Sequence, residues 1–154
     1  MTTLPSPQVR TKIYVDLRPS LGVSPSRDDY LLCPNAKWIA QFGAYLFSGG
    51  MRPKWAKERF DCDDFAFHAV TVASLCRAKT TGDSGNSVFI AYVTLRKEFL
   101  GVTAQKHALL LILDDQQQWW FVEPQSGLSV QATNNIYDEE TNPGGAVSVD
   151  YVIM

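Results

Sequence analysis

The stretch KHALLLILDDQQQWWFVEPQSG, residues 106–127, decides the fold of this chain. Two apolar runs flank a polar segment at 114–118, a pattern that predicts two strands joined by a turn. Both faces of the first run are apolar, so we expect it to be a central strand. Further strands are predicted by the stretches SVFIAYVTLRKE (87–98), LSVQA (128–132) and VSVDYVI (147–153).

Two helices are predicted before these strands. The first runs over 36–47 with Asn35 as its N-cap, and the second runs from Cys62 to Arg77 with Asp61 as N-cap. Asp64 stands at position N3 of the second helix, as in a capping box. Helices followed by strands indicate an α+β fold, with helices packed on an antiparallel sheet.

The domain organisation follows from composition. Residues 1–32 are rich in Pro and Ser and are expected to form an extended arm, with a strand-like stretch from Ile13 to Leu17. This arm is also considered as a removable pro-segment. Residues 33–154 are expected to form one domain, since a chain of 154 residues has the size of an ordinary domain.

Charge and hydropathy exclude several classes of protein. The chain is 45% hydrophobic and 19% charged with a net charge of −2, so no nucleic-acid surface is indicated. No apolar run reaches the length of a membrane helix, and no secretory signal is recognisable at the start. We therefore expect a cytoplasmic protein, with phage association or export by a non-Sec route left open. The oligomeric state is not indicated.

A cysteine at the start of the second helix is the main candidate for chemistry. Cys62 lies in FDCDDFAFHA (60–69), where the positive end of the helix dipole favours a thiolate. A nucleophilic thiol needs a base. His68 is too far along the same helix to contact Cys62, which leaves His107, at the start of the central strand. The other cysteines, Cys33 and Cys76, are expected in the core.

A catalytic histidine usually needs a third group to hold its ring, and the hairpin supplies one. Opposed residues of an antiparallel pair have a constant sum of residue numbers and share a face of the sheet. A sum of 230 places Glu123 opposite His107, whereas a sum of 232 places Gln125 there. Glu123 is preferred as the group that orients the ring, and Gln125 is the alternative.

The carboxylates around Cys62 oppose the formation of a thiolate, because nearby negative charge raises the pKa of a thiol. Asp61, Asp63 and Asp64 lie within four residues of sequence. A bound hard cation would neutralise them, so the sequence predicts a calcium site at these three aspartates. The acidic segment YDEE (137–140) is a candidate source of further oxygen ligands.

The segments FDCDDFAFHA, KHALLLI (106–112) and WWFVEPQSG (119–127) resemble the protease domain of the Marasmius-type fungal agglutinins and its bacterial and phage relatives. The resemblance implies a papain-like fold and a calcium-dependent Cys-His-Glu triad. Cys62 would be the nucleophile, His107 the base and Glu123 the orienting group. The resemblance covers less than half of the chain. The sugar-binding β-trefoil domain of the agglutinins is not recognisable here, so no lectin function is carried over.

The function expected from this resemblance is that of a cysteine peptidase or amidase acting on a peptide or protein amide. Gln41 is a candidate oxyanion donor, while Gln125 and Trp120 are candidate substrate contacts. Two alternatives remain open: a transglutaminase-like acyl transferase, in which an amine replaces water, and a non-catalytic binding or structural module on the same scaffold. Zinc is disfavoured, since the closely spaced ligand pairs of zinc sites are missing.

Overall fold

The computed structural model describes residues 1–26, 28–48, 61–78 and 85–154. Three helices are present in these ranges: α1 (Ser6–Leu17), α2 (Ala36–Ser48) and α3 (Cys62–Ala78). The strands of the same ranges are β1 (Thr2–Pro5), β2 (Gly22–Val23), β3 (Tyr30–Cys33), β4 (Gly85–Asn86), β5 (Val88–Leu95), β6 (Lys106–Leu113), β7 (Trp119–Val122), β8 (Ser129–Gln131) and β9 (Val147–Ile153).

The strands form two mixed sheets. The larger sheet has six strands in the order β2-β9-β5-β6-β7-β8, and the smaller has three in the order β1-β3-β4. Strand β6 lies inside the larger sheet, between β5 and β7, which confirms the prediction of a central strand. The pairs β2–β9 and β3–β4 are parallel, and the other strand pairs are antiparallel.

Helices cover both faces of the six-stranded sheet. Along β6, Leu109 and Leu111 belong to a core cluster with α1, whereas Leu110 and Ile112 belong to a cluster with α2 and α3. This alternation is the period of a strand that is buried on both faces. The sheet therefore separates two cores, and it also separates the surroundings of α1 from those of α3.

The predicted fold class is corrected by this architecture. A papain-like α+β domain, with helices packed on an antiparallel sheet, was expected, but the structure has two mixed sheets and three helices. The difference arises in the first 33 residues. They add β2 in parallel to one sheet and β1 and β3 to the other, and two-residue strands such as β2 and β4 leave no readable pattern in the sequence.

The segment expected to be a strand from Ile13 to Leu17 is the second half of α1. Val9, Ile13 and Leu17 are buried at a spacing of four residues, which is one face of a helix. Residues 1–32 are therefore not extended throughout. The division of the chain at residue 32 stays a prediction.

The helix predictions are otherwise confirmed. The backbone N–H of Trp38 donates to Asn35 Oδ1 at 2.8 Å, so Asn35 caps α2 as expected. None of the helices within the described ranges is long and apolar enough to cross a membrane.

Candidate functional site

Cys62 is the first residue of α3 and is half-buried. The backbone N–H of Phe65 donates to the carbonyl oxygen of Asp61 at 3.1 Å, which closes the first turn of the helix. The N–H of Asp61 donates in turn to Asp64 Oδ2 at 3.3 Å, the backbone half of a capping box. These local bonds fix the start of α3, and with it the position of the thiol.

His107 joins this thiol to a buried carboxylate. Its Nε2 lies 2.5 Å from Glu123 Oε2, and both side chains are almost fully buried. The Cys62 side chain is a further neighbour of the ring and acts on its pKa. The structure therefore brings Cys62, His107 and Glu123 together, with the imidazole in the middle.

The charge state of His107 follows from its neighbours. Burial by itself lowers the pKa of His107, but the hydrogen bonds with Cys62 and Glu123, together with their negative charge, raise it to about 9. At neutral pH the ring is therefore an imidazolium, and its Nε2–H donates to Glu123 Oε2.

The hairpin register that suggested Glu123 was wrong. Leu110 pairs with Val122, so opposed residues add up to 232 and the formal partner position of His107 is Gln125. Glu123 reaches the ring because β7 ends at Val122 and because a residue two positions from the opposed one lies diagonally on the same face. The N–H of Gln125 donates to Glu123 Oε1 at 2.9 Å, so the alternative residue supports the carboxylate.

The structure does not place Trp120 beside Cys62 and His107. Trp120 is opposite Ile112, five residues along β6 from His107, which corresponds to roughly 17 Å. Its Nε1 donates to Asp114 Oδ2 at 2.8 Å, within the hairpin turn. Gln41 is exposed on α2. Cys33 is buried as expected, and the side chain of Cys76 lies outside the described residues.

The three aspartates at the start of α3 form a compact oxygen cluster. One carboxylate oxygen from each of Asp61, Asp63 and Asp64 lies within 4.8 Å of the others. The hydrogen bond to Asp61, then burial and the neighbouring negative charge, raise the pKa of Asp63. Within the described ranges, Asp61 Oδ1 is a buried oxygen without a hydrogen-bond partner. This donor set fits a hard divalent cation such as calcium.

The segment 137–140 does not join this cluster. Asp138 instead forms an ion pair with Arg18, with its Oδ2 2.7 Å from Nη1. Its other oxygen accepts the backbone N–H groups of Glu140 and Thr141 at 2.9 and 3.0 Å. The bond from Thr141, followed by that from Glu140, lowers the pKa of Asp138.

A second candidate site lies beside α1 and was missed from the sequence. It is a cleft of about 630 Å³, which we call the α1 cleft. It is lined by the second half of α1 and the turn after it, by Arg96, by residues 117–119, by the segment 132–142 and by the start of β9. These segments meet only in the folded chain, so no local sequence pattern marks the cleft.

Charge pairs organise the walls of the α1 cleft. Lys12 Nζ lies 2.7 Å from Asp16 Oδ2, and the same oxygen accepts Trp119 Nε1–H at 2.9 Å. Elsewhere in the lining of the cleft, the guanidinium carbon of Arg96 lies over the Tyr137 ring, 3.3 Å from its centroid. The cleft therefore offers fixed donors and acceptors together with aromatic surface.

Two solved structures share the fold of the chain. One is described as "PSL1a-E64 complex", with a TM-score of 0.69 and 16% identity over 99% of this chain and 51% of that one. The other is described as Polyporus squamosus lectin bound to the human-type influenza-binding epitope Neu5Acα2-6Galβ1-4GlcNAc, with a TM-score of 0.69 and 15% identity over 99% and 49%. The chain spans about half the length of these chains. No family model and no curated protein matches it.

These findings correct the identification made from the sequence. One solved structure is described as a lectin with a bound trisaccharide and the other as a PSL1a-E64 complex, and neither description names a papain-like protease. The predictions of a cysteine peptidase or amidase, and of a peptide or protein amide as its partner, are corrected on this ground. The description of Cys62, His107 and Glu123 as the triad of a thiol protease is withdrawn with them. Their selection as site residues stays a prediction.

Proposed function

We propose that the chain is a binding module for glycans and that the α1 cleft is its binding site. The proposal is carried by the likeness of 99% of the chain to about half of a lectin chain, one structure of which is described with a bound trisaccharide. The position of the binding site is inferred from the cleft itself.

The chemistry of the α1 cleft fits such a ligand. Sugars present many hydroxyl groups, which need both donors and acceptors, and apolar C–H faces, which pack on aromatic rings. The cleft supplies the guanidinium of Arg18, the carboxylate of Asp138, the amide of Gln118 and the ring of Tyr137. Its volume of about 630 Å³ lies in the range of small-ligand sites.

A titration with Neu5Acα2-6Galβ1-4GlcNAc tests the proposal. Backbone amide NMR shifts should change in residues 132–142 and should stay unchanged at the start of α3. Tyr137→Ala should weaken binding about tenfold, the order expected for loss of an aromatic contact. The control Tyr45→Ala removes a tyrosine that is 53% exposed on α2 and should leave the affinity unchanged. Shifts confined to α3, or no binding, would contradict a binding site in the cleft.

A second candidate function is acyl transfer at Cys62, favoured by the buried contact of His107 with Glu123. In this reaction Sγ attacks the carbonyl carbon of an acyl donor, and the leaving amine takes a proton from the His107 imidazolium. A second amine then attacks the thioester, transfers its proton to His107 and releases Sγ. The positively charged ring is suited to the first proton transfer.

Thiol reactivity tests this second candidate before any substrate is known. Iodoacetamide should label Cys62 faster than Cys33, which is buried, and His107→Ala should slow labelling at Cys62 alone. With an acyl donor and a labelled primary amine, the amine should appear in the product. Transfer of the acyl group to water instead, or equal labelling of Cys62 and Cys33, would contradict acyl transfer to an amine.

Calcium at Asp61, Asp63 and Asp64 is a further proposal. It is supported by the closeness of the three carboxylates and by the partnerless Asp61 Oδ1. Calcium should raise the melting temperature of the protein, because a ligand that binds only the folded state stabilises it. Asp63→Asn should reduce this rise, whereas Glu139→Gln, outside the cluster, should not. An equal rise in both variants would place calcium elsewhere.

A cytoplasmic location also stays a prediction. It is supported by Cys33 and Cys62, both of which are free thiols. Fractionation of the source cells would test it.

A further inference from the structure

Residues 123–128, which follow β7, form a loop that closes on itself and that we call the Glu123 loop. The backbone N–H of Glu123 donates to the carbonyl oxygen of Leu128 at 2.9 Å. The N–H of Gln125 donates to Glu123 Oε1, also at 2.9 Å. One oxygen of the carboxylate is thus bound within the loop, and the other lies 2.5 Å from His107 Nε2.

The side chain of Ser126 ties the Glu123 loop to a distant turn. Its hydroxyl donates to the carbonyl oxygen of Leu100 at 3.2 Å and accepts the backbone N–H of Leu128 at 3.2 Å. Because a single hydroxyl makes both contacts, it joins the end of the loop to a segment that is 26 residues away in the chain.

The turn that supplies the acceptor, residues 99–102, is anchored in the core. Phe99 and Val102 exchange two backbone hydrogen bonds of 2.9 Å. Phe99 is buried, and its ring meets that of Phe121 edge-on with the centroids 5.7 Å apart. Leu100 has a φ of 51°, a conformation that is unfavourable for leucine and persists only where the surroundings hold it. The carbonyl group of Leu100 is therefore a fixed support for the loop.

The position of the Glu123 carboxylate matters because its contact with His107 is buried. Burial lowers the pKa of His107, whereas Cys62, on α3, and Glu123, after β7, raise it. Both side chains of the contact are almost fully inaccessible to water, so water does not replace a hydrogen bond that is lost there. A residue that holds the loop therefore acts on the proton affinity of the ring.

We propose that Ser126 is a positioning residue, which holds Glu123 against His107 by tying the Glu123 loop to the 99–102 turn. Acyl transfer at Cys62 then depends on Ser126. This inference rests on the second candidate function and adds to it a residue that acts through Glu123. Alanine at position 126 removes both hydrogen bonds of the hydroxyl, whereas threonine keeps a hydroxyl there. The two substitutions therefore separate loss of the hydrogen bonds from the replacement itself.

NMR titration of the His107 imidazole tests the proposal. Ser126→Ala should lower its midpoint by about one pH unit or more, because a carboxylate that moves away from the ring stabilises the imidazolium less. Ser126→Thr should restore the midpoint. The control Ser129→Ala removes another half-buried serine hydroxyl, on β8, and should leave the midpoint unchanged. An unchanged midpoint in folded Ser126→Ala would overturn the proposal.

Gly101→Ala tests the same contact without a change in the Glu123 loop. A Cβ at this position would meet no atom within 4 Å, but the φ of 81° is unfavourable for alanine, so the substitution strains the 99–102 turn. It should lower the His107 midpoint in the wild-type background and have no further effect in Ser126→Ala, since both changes act through the carbonyl of Leu100. Equal shifts in both backgrounds, or none in either, would overturn the proposal.

A kinetic readout separates this inference from the candidate function on which it rests. With p-nitrophenyl acetate as acyl donor and dansylcadaverine as amine, rates are measured above those of Cys62→Ala. Ser126→Ala should lower kcat roughly 10- to 100-fold with little change in KM, as expected for a displaced reacting group. Full kcat in this variant would overturn the role of Ser126 and leave acyl transfer intact. Wild-type protein that transfers no acetyl group to the amine would overturn acyl transfer, and the inference with it.

Discussion

The contact of His107 with Glu123 makes the stability of the fold depend on pH in a defined window. The pKa of His107 is raised from 6.5 to about 9 in the folded protein. A group whose pKa is raised by folding binds its proton more tightly in the folded state. Its stabilisation is fully present below pH 6.5 and is lost as the pH rises through 9. The shift corresponds to about 3 kcal/mol in the free energy of unfolding.

Urea unfolding followed by tryptophan fluorescence measures this loss. In the presence of a chelator, the free energy of unfolding should fall between roughly pH 6.5 and pH 9, at up to about 1.4 kcal/mol per pH unit. His107→Gln should remove most of this slope. The matched control is His68→Gln, which replaces the only other histidine of the sequence and should keep the slope.

A direct titration guards against a variant that does not fold. NMR of the wild-type imidazoles should place the midpoint of His107 well above 6.5. A midpoint at or below 6.5, together with a free energy of unfolding that does not change across the window, would refute the reasoning. Glu123 and Cys62 would then not act on the ring as negative neighbours.

Three further substitutions test the packing that positions the two sites. Gly43→Ala should destabilise the fold by about 1–3 kcal/mol although alanine favours helices, because its Cβ would lie 2.4 Å from the carbonyl oxygen of Gly127; a more stable variant in urea unfolding would contradict this. Asp114→Asn should lower the free energy of unfolding by about 1–3 kcal/mol and change the near-UV circular dichroism of Trp120. The reason is that the buried carboxylate accepts hydrogen bonds from the Trp120 indole N–H and from two backbone amides of the turn. An unchanged spectrum would contradict this role of Asp114. Ile13→Ala should lower the free energy of unfolding by about 2–5 kcal/mol, because this side chain is fully buried. A negligible loss would show that α1 is only loosely packed on the sheet.

The strands of the second half could be predicted because their patterns are local. Alternating or continuous apolar residues identify β5, β6, β7 and β9 without any tertiary information. The first helix could not be predicted in this way. Val9, Thr11, Ile13, Val15 and Leu17 alternate as in a strand, yet tertiary packing selects every fourth residue and forms a helix. Pro at the start of α1 was the local signal that favoured a helix.

The convergence of Cys62, His107 and Glu123 was predictable from helix-start and strand-parity arguments, even though the register was one residue off at the turn. Such an error does not change the face of the sheet on which the partner of His107 is expected. A change of two in the sum of opposed residue numbers moves the partner by two residues, and residues two apart in a strand share a face. The α1 cleft has no comparable signal. Its walls come from segments as distant as Lys12 and Asn142, and their meeting depends on how α1 docks on the sheet.

The six-stranded sheet separates the thiol of Cys62 from the α1 cleft. Cys62 begins a helix that packs on one face of β5 and β6, whereas α1 and its cleft belong to the other face. The strands between them are buried on both sides, so a side chain altered at the cleft does not contact the thiol. Weaker glycan binding in Tyr137→Ala should therefore leave the iodoacetamide rate of Cys62 unchanged, since coupling would require the packed strands themselves to move. A changed rate would show that the two faces form one functional unit.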